Sequence, residues 1–209
     1  MKKIVMNGLP TFVQMESLSV TIMLMNKMMS ITDGTTGVNA LSYICKIVTF
    51  AFVPFNAITQ ASAPVIGYNH GTNNSNRVKE ALRFSLIISV FYSVAALVST
   101  PLISKYLIMI FTDSADLIVV GANGLNILSA ALPFAAIQLI AGSYYQAIGK
   151  KNSSLLVNIM PVIFLIPGVF VLPKLLSVNG IWWSFVTTYF LSAVFIAILP
   201  LSNAKKNRV

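Results

Sequence analysis

Residues 82–100 read LRFSLIISVFYSVAALVST, and their only charge is Arg83, close to the start. A bilayer core about 30 Å thick takes roughly 20 such residues to cross as a helix. A barrel strand would be about half as long and would alternate in polarity. An open sheet would leave unpaired backbone groups in lipid. The stretch therefore reads as a transmembrane helix. Working outward, similar runs cover 10–29 and 39–61 before it, and 117–147, 155–172 and 181–201 after it. A short apolar piece, Leu102 to Phe111, follows Pro101. The expected fold is all-α, a polytopic membrane protein whose residues 1–209 form a single lobe of six transmembrane helices. Composition agrees: 56% of the residues are hydrophobic, 9% are charged, and mean hydropathy is +0.82. A soluble domain carries roughly a quarter charged residues.

The connections between runs carry turn chemistry. Asp33-Gly34 and Gly37 mark the first, and Gly67, Gly71 and Thr72 to Asn76 the second. Thr112-Asp113-Ser114, Gly149 to Ser154 and Asn179-Gly180 mark the other three. Basic residues sort to one side: Lys2, Lys3, Arg77, Lys79, Arg83, Lys150, Lys151, Lys205, Lys206 and Arg208. Lys27, Lys105 and Lys174 fall on the other, with Asp33, Asp113 and Asp116. Ten against three predicts that both termini face the cytoplasm. The expected location is the cell membrane, spanned several times. The run after Met1-Lys2-Lys3 contains Gln14 and Glu16 and lacks a small-residue cleavage site, so it does not read as a signal peptide.

Several function classes drop out. With one cysteine, Cys45, and one histidine, His70, the chain offers neither an internal disulfide nor a His/Cys metal cluster. The net charge of +9 comes from residues scattered at helix ends, which points to orientation and not to nucleic acid. No catalytic constellation and no Walker-type phosphate loop is present, so neither an enzyme nor an ATP-driven pump is expected. No cofactor is implied.

The polar residues inside the runs are the candidates for function. Glu16 is the sharpest, because a carboxylate in hydrocarbon is costly and normally faces a bundle interior. It is read either as a proton, cation or substrate counter-charge site, or as the structural partner of another buried polar group. Lys46 is the natural partner, but at about 1.5 Å per residue the two lie about 10 Å apart in depth. A structural role or snorkelling outward is favoured over a functional one for Lys46. Gln60, Asn126, Gln138 and Asn158 are amides in or near the other runs. They either hydrogen-bond between helices or line a cavity, and the first is the more ordinary role. Pro54, Pro133, Pro161 and Pro167 each remove a helical hydrogen bond and allow bends. The nine methionines read as greasy packing in the first instance.

One segment carries more. Gln60-Ala61-Ser62-Ala63-Pro64-Val65-Ile66-Gly67-Tyr68-Asn69-His70-Gly71, followed by Arg77-Val78-Lys79-Glu80-Ala81, resembles a glycine-rich signature at the cytoplasmic end of the eighth helix of multidrug and toxic compound extrusion (MATE) transporters. Gly8-Leu9-Pro10, Ile44-Cys45-Lys46-Ile47, Ala131-Leu132-Pro133-Phe134 and Tyr145-Gln146-Ala147-Ile148-Gly149-Lys150 are similar to the same family. Essentially the whole chain resembles the C-terminal six-helix half of such a transporter, in its MepA-like bacterial group.

The resemblance implies one lobe of a two-lobe, twelve-helix antiporter. Such proteins export cationic or amphipathic compounds in exchange for H+ or Na+. The implied partners are membrane lipid, those small molecules, and either a second six-helix lobe or a second copy of the chain. Glu16 falls on a run where some members carry a membrane carboxylate. Two other readings stay open. One is a degenerate half-transporter with a structural or partner role only. The other is a lipid-linked sugar flippase of the same superfamily, against which stands the scarcity of basic groups within the runs.

Overall fold

In the structure, a computed structural model, the described backbone covers residues 2–206. Met1 and residues 207–209, Arg208 of the basic set among them, lie outside the described residues. So do the side chains of 2–7, 15 and 199–206, including Lys2, Lys3, Lys205 and Lys206. The fold is all-α: α1 (Lys2–Thr32), α2 (Gly34–Gly71), α3 (Ser75–Met109), α4 (Ala115–Ser129), α5 (Leu132–Ala147) and α6 (Lys151–Lys206).

Two breaks shape how these elements pack. The run 117–147, read as one helix, is bent by 51° between α4 and α5. The cause is Pro133. It has no N–H to donate to the carbonyl four residues back, and that residue is Ser129, where α4 ends. The second break lies inside α6 at Ser177, whose φ of 50° is not helical. There the chain reverses. A Cβ added at Gly168 would sit 3.6 Å from the Ser184 Cβ. A straight helix would hold positions 16 apart in sequence about 24 Å from one another. Gly180 completes the reversal, since a Cβ there would run into the Leu172 carbonyl. The two arms of α6, 151–176 and 178–206, therefore pack antiparallel.

The core forms where these segments cross. Trp182 is fully buried. It packs so closely on α4 that a Cβ at Gly124 would meet its ring at 2.7 Å and the Ile44 Cδ1 at 2.8 Å. An aromatic cluster of Phe52, Phe55, Tyr92, Phe185 and Tyr189 lies beside it, with Phe185 and Tyr189 centroids 4.8 Å apart. The inner face of α3 is a line of small hydroxyl residues, Ser85, Ser89, Ser93, Thr100 and Ser104, all buried. Such residues let helix backbones approach closely. Ser85, Ser93 and Thr100 donate to carbonyls of their own helix, at 2.7–2.8 Å.

The outer faces of α2 and α3 differ. On α3 the large exposed side chains include Phe84, Phe91, Val98 and Leu102. On α2, Ser42, Lys46, Thr49, Val53, Asn56 and Gln60 are all exposed. Their spacing of three or four places them on one stripe, and five of the six are polar.

Candidate functional site: a polar cleft on one face of the bundle

A cleft of about 850 Å³ opens between α1, α2, α5 and α6. Its α2 wall is the inner edge of the stripe just described, from Thr49 through Asn56 to Gln60. Its α1 wall is Thr11, Gln14, Ser17 and Thr21. Gln138 and Asn158 lie in the back, and Phe52 and Tyr189 add aromatic surface. None of the described residues lining it is charged.

Asn158 holds three helices together. Its Nδ2 donates to the Pro10 carbonyl of α1 at 3.0 Å, and its own backbone carbonyl accepts from Ser17 Oγ at 3.0 Å. Its Oδ1 is pressed against Gly142 of α5, where any Cβ would collide with it. Gly142 is thus a place where two elements need the missing side chain. Ser154 Oγ donates to the Gly142 carbonyl at 3.0 Å, one turn away. Gln138 Nε2 donates to the Val157 carbonyl at 3.3 Å. At the mouth, Gln146 Nε2 donates to Thr11 Oγ1 at 2.7 Å, joining the end of α5 to the start of α1. The back of the cleft is consequently cross-linked by amides, while its α2 wall is open.

Of the six candidates read from the sequence, the structure brings three together: Gln60, Gln138 and Asn158 line this cleft. It places the other three elsewhere. Glu16, expected to point into the bundle, is exposed. At about 100° per residue it lies roughly 100–160° around α1 from the cleft-lining positions 11, 14, 17, 18 and 21. Polarity alone predicted burial. The phase of the helix decides the direction, and it turns Glu16 away.

Lys46 is also exposed, and no Glu16–Lys46 pair forms. Its Nζ sits 5.2 Å from the Phe111 ring centroid and 5.9 Å from that of Tyr43. The two rings are stacked with centroids 5.6 Å apart. The ammonium is thereby led outward over aromatic faces, a favourable cation–π position. Asn126 lies on α4, half-buried, with a shielded Oδ1 that has no partner among the described residues. It does not line the cleft. Sequence reasoning missed Thr49, Asn56 and Gln146. The signal was available on α2, where Lys46, Thr49, Asn56 and Gln60 recur at helical spacing.

A bundle of membrane-length helices, broken at a proline and at a reversal, with a neutral polar cleft open on one side, defines the class: a polytopic membrane protein with a polar cleft. The chain belongs to the MatE family, whose model matches residues 10–171. It is 22% identical over 185 residues to the multidrug export protein MepA of Staphylococcus haemolyticus, covering 88% of this chain and 40% of that protein. It is 19% identical over 177 residues to MepA of Staphylococcus aureus, covering 85% and 39%. Among solved structures, a multidrug resistance MATE family transporter in an outward-facing conformation superposes with a TM-score of 0.87 at 20% identity. That match takes in 95% of this chain and 46% of the other. A transporter of the same superfamily from Pyrococcus furiosus superposes at 0.86 and 18% identity, over 94% and 45%. The chain thus matches less than half the length of these relatives.

Proposed function

We propose that this chain is one lobe of a secondary multidrug exporter, moving cationic or amphipathic compounds out of the cell in exchange for H+ or Na+. The observation that carries the reading is the cleft with its polar α2 stripe. Polar side chains at membrane depth normally face a bundle interior or a water-filled cavity, not lipid. Here they are exposed on one face, as the wall of a site whose opposite wall is another lobe. In transporters built from repeats, the substrate sits at the repeat interface and one repeat rocks against the other.

The cleft chemistry suits such substrates. The amide oxygens of Asn56, Gln60 and Gln138 accept from or solvate a cation without forming a fixed ion pair. The faces of Phe52 and Tyr189 offer aromatic surface and a weak attraction for positive charge. A pyrophosphate-bearing lipid would call for basic groups, and the described lining has none, so the flippase reading is set aside. Glu16 is the sole carboxylate within the six runs. Facing away from the cleft, it would serve ion coupling only where the outer face of α1 meets the second lobe.

The test is ethidium efflux from proteoliposomes under an imposed proton or sodium gradient. The chain alone should give background efflux, and the chain with a matching six-helix lobe should give gradient-dependent efflux. Robust gradient-driven efflux by the single polypeptide would point instead to a working homodimer. Gradient-independent background with both lobes present would favour a purely structural role.

A further inference from the structure

The hydroxyl groups lining the cleft turn their protons into the protein. Ser17, Thr21, Thr49, Thr59 and Ser143 are all part of the lining. A hydroxyl has one proton and two lone pairs. Each of these donates its proton to a backbone carbonyl. Ser17 donates to Val13 at 2.6 Å, Thr21 to Ser17 and Thr49 to Cys45 at 2.8 Å, Thr59 to Asn56 at 2.9 Å, and Ser143 to Thr59 at 3.5 Å. What they have left to offer a bound molecule is oxygen lone pairs.

Gln138 is fixed in the same sense, and the reason lies in another residue. Pro161 has no N–H to donate to the carbonyl four residues back, that of Val157. Val157 is fully buried, where an unpaired carbonyl is costly. Gln138 Nε2 reaches it from α5 and donates at 3.3 Å. Turning the amide over would set oxygen against oxygen. Gln138 Oε1 is the end left over. It accepts from none of the described residues and, unlike the Asn158 Oδ1, is not sealed off from the cleft. Asn56 and Gln60, exposed on the α2 wall, can present either end of their amides. Gln138 presents only its oxygen.

We infer that Gln138 is a specificity-determining residue: its fixed Oε1 takes the N–H of a protonated amine, so the cleft prefers cations that carry an N–H over quaternary cations of equal charge. This rests on the reading that the cleft binds cations, and it narrows the class. Charge does not separate the two kinds of cation. A protonated amine gives up a hydrogen bond to water on entering, and an acceptor already held in place restores it. A quaternary cation gains nothing from that acceptor. Pro161 is the positioning residue, acting on Gln138 through the Val157 carbonyl.

The experiment uses two dyes, each a dansyl group joined through a propyl linker to a dimethylammonium or to a trimethylammonium group. Both are monocations at neutral pH, and only the first carries an N–H on its charge. Fluorescence titration in lipid nanodiscs, holding the full chain with a matching six-helix lobe, gives the two affinities. The dimethylammonium dye should bind about tenfold tighter, the size of one hydrogen bond to a charged donor. Pro161→Ala supplies the Val157 carbonyl with a helical N–H and releases the Gln138 amide to turn. It should lower the preference to about threefold. Gln138→Leu combined with Pro161→Ala keeps that carbonyl paired and removes the acceptor, and the two dyes should then bind equally. Equal binding by the wild type would overturn the inference and leave the proposed function standing. So would a preference unchanged in Pro161→Ala, the variant that keeps the test intact if the double one misfolds. A preference that survives the double variant would trace to the size of the extra methyl and overturn it too. Binding of neither dye by the wild type would overturn this inference and the proposed function together.

Discussion

Helices α2 and α3 pack side by side and have similar lengths, yet their outer faces differ in kind. The exposed face of α3 presents Phe84, Phe91, Val98 and Leu102. The exposed stripe of α2 presents Ser42, Lys46, Thr49, Asn56 and Gln60, with Val53 its one apolar member, and its inner edge is the wall of the cleft. Average hydropathy makes both helices candidate spans. Only the phase of the polar residues separates an exposed apolar face from an exposed polar one. The difference teaches that a membrane helix declares its neighbours by where its few polar groups recur, not by how many it has.

The contrast can be broken most forcefully by moving a charge across it. Phe91→Lys puts an ammonium on the lipid face and should cost about 2.5–3.5 kcal/mol at mid-membrane. Asn56→Lys puts the same charge into the cleft and should cost well under half of that. Insertion yield and thermal unfolding in detergent read both. Equal losses from the two variants would mean that the faces are not different.

The shared core should respond next. Gly124→Leu forces a side chain into Trp182 and Ile44, an overpacking expected to cost about 1–3 kcal/mol. Gly71→Leu has nothing within contact of its Cβ and should change stability by less than about 0.5 kcal/mol. A smaller effect is expected at the back of the cleft. Asn158→Leu removes the tie to Pro10 and should cost about 0.6–1.7 kcal/mol, the range of interhelical hydrogen bonds in membranes. It should also loosen α1, seen as faster proteolysis near Pro10. Glu16→Gln should have the smallest effect of all. Exposed and out of the cleft, it should leave unfolding unchanged and, in a two-lobe transporter, leave ethidium-driven ion release near wild type. Loss of coupling would show that the outer face of α1 joins the site.

Much of this was legible beforehand for definite reasons. The stretch 82–100 reads as a helix because so long an apolar run has no other stable form in lipid. The reversal inside α6 is signalled by Asn179-Gly180, residues that accept unusual backbone angles, although the positive φ falls on Ser177 two positions earlier. Pro133 signalled that a bend was possible between α4 and α5, but not where the helix would break. Ser129-Ala130-Ala131 contains no glycine, proline, asparagine or aspartate, and the cause, Pro133, stands on the far side of the break. Gln60, Gln138 and Asn158 were identifiable as amides among apolar neighbours, and their convergence needed the packing of three helices. Glu16 and Lys46 misled because a charge in an apolar run says that a partner or an exit must exist without saying on which side. For Lys46 the exit is the Tyr43–Phe111 pair, and Phe111 is remote in sequence.

The central claim is that the α2 stripe faces a water-filled interface with a second lobe, while the α3 face meets lipid. Replacing Cys45, the only native cysteine, with Ala allows a single nitroxide label to be placed at Asn56, Gln60, Phe91 or Val98. Collision rates with oxygen, concentrated in lipid, and with a neutral water-soluble nickel complex can then be measured in membranes containing both lobes. The account predicts that labels at 91 and 98 collide mainly with oxygen, and labels at 56 and 60 mainly with nickel. Oxygen collision at 56 and 60 matching that at 91 and 98 would contradict it.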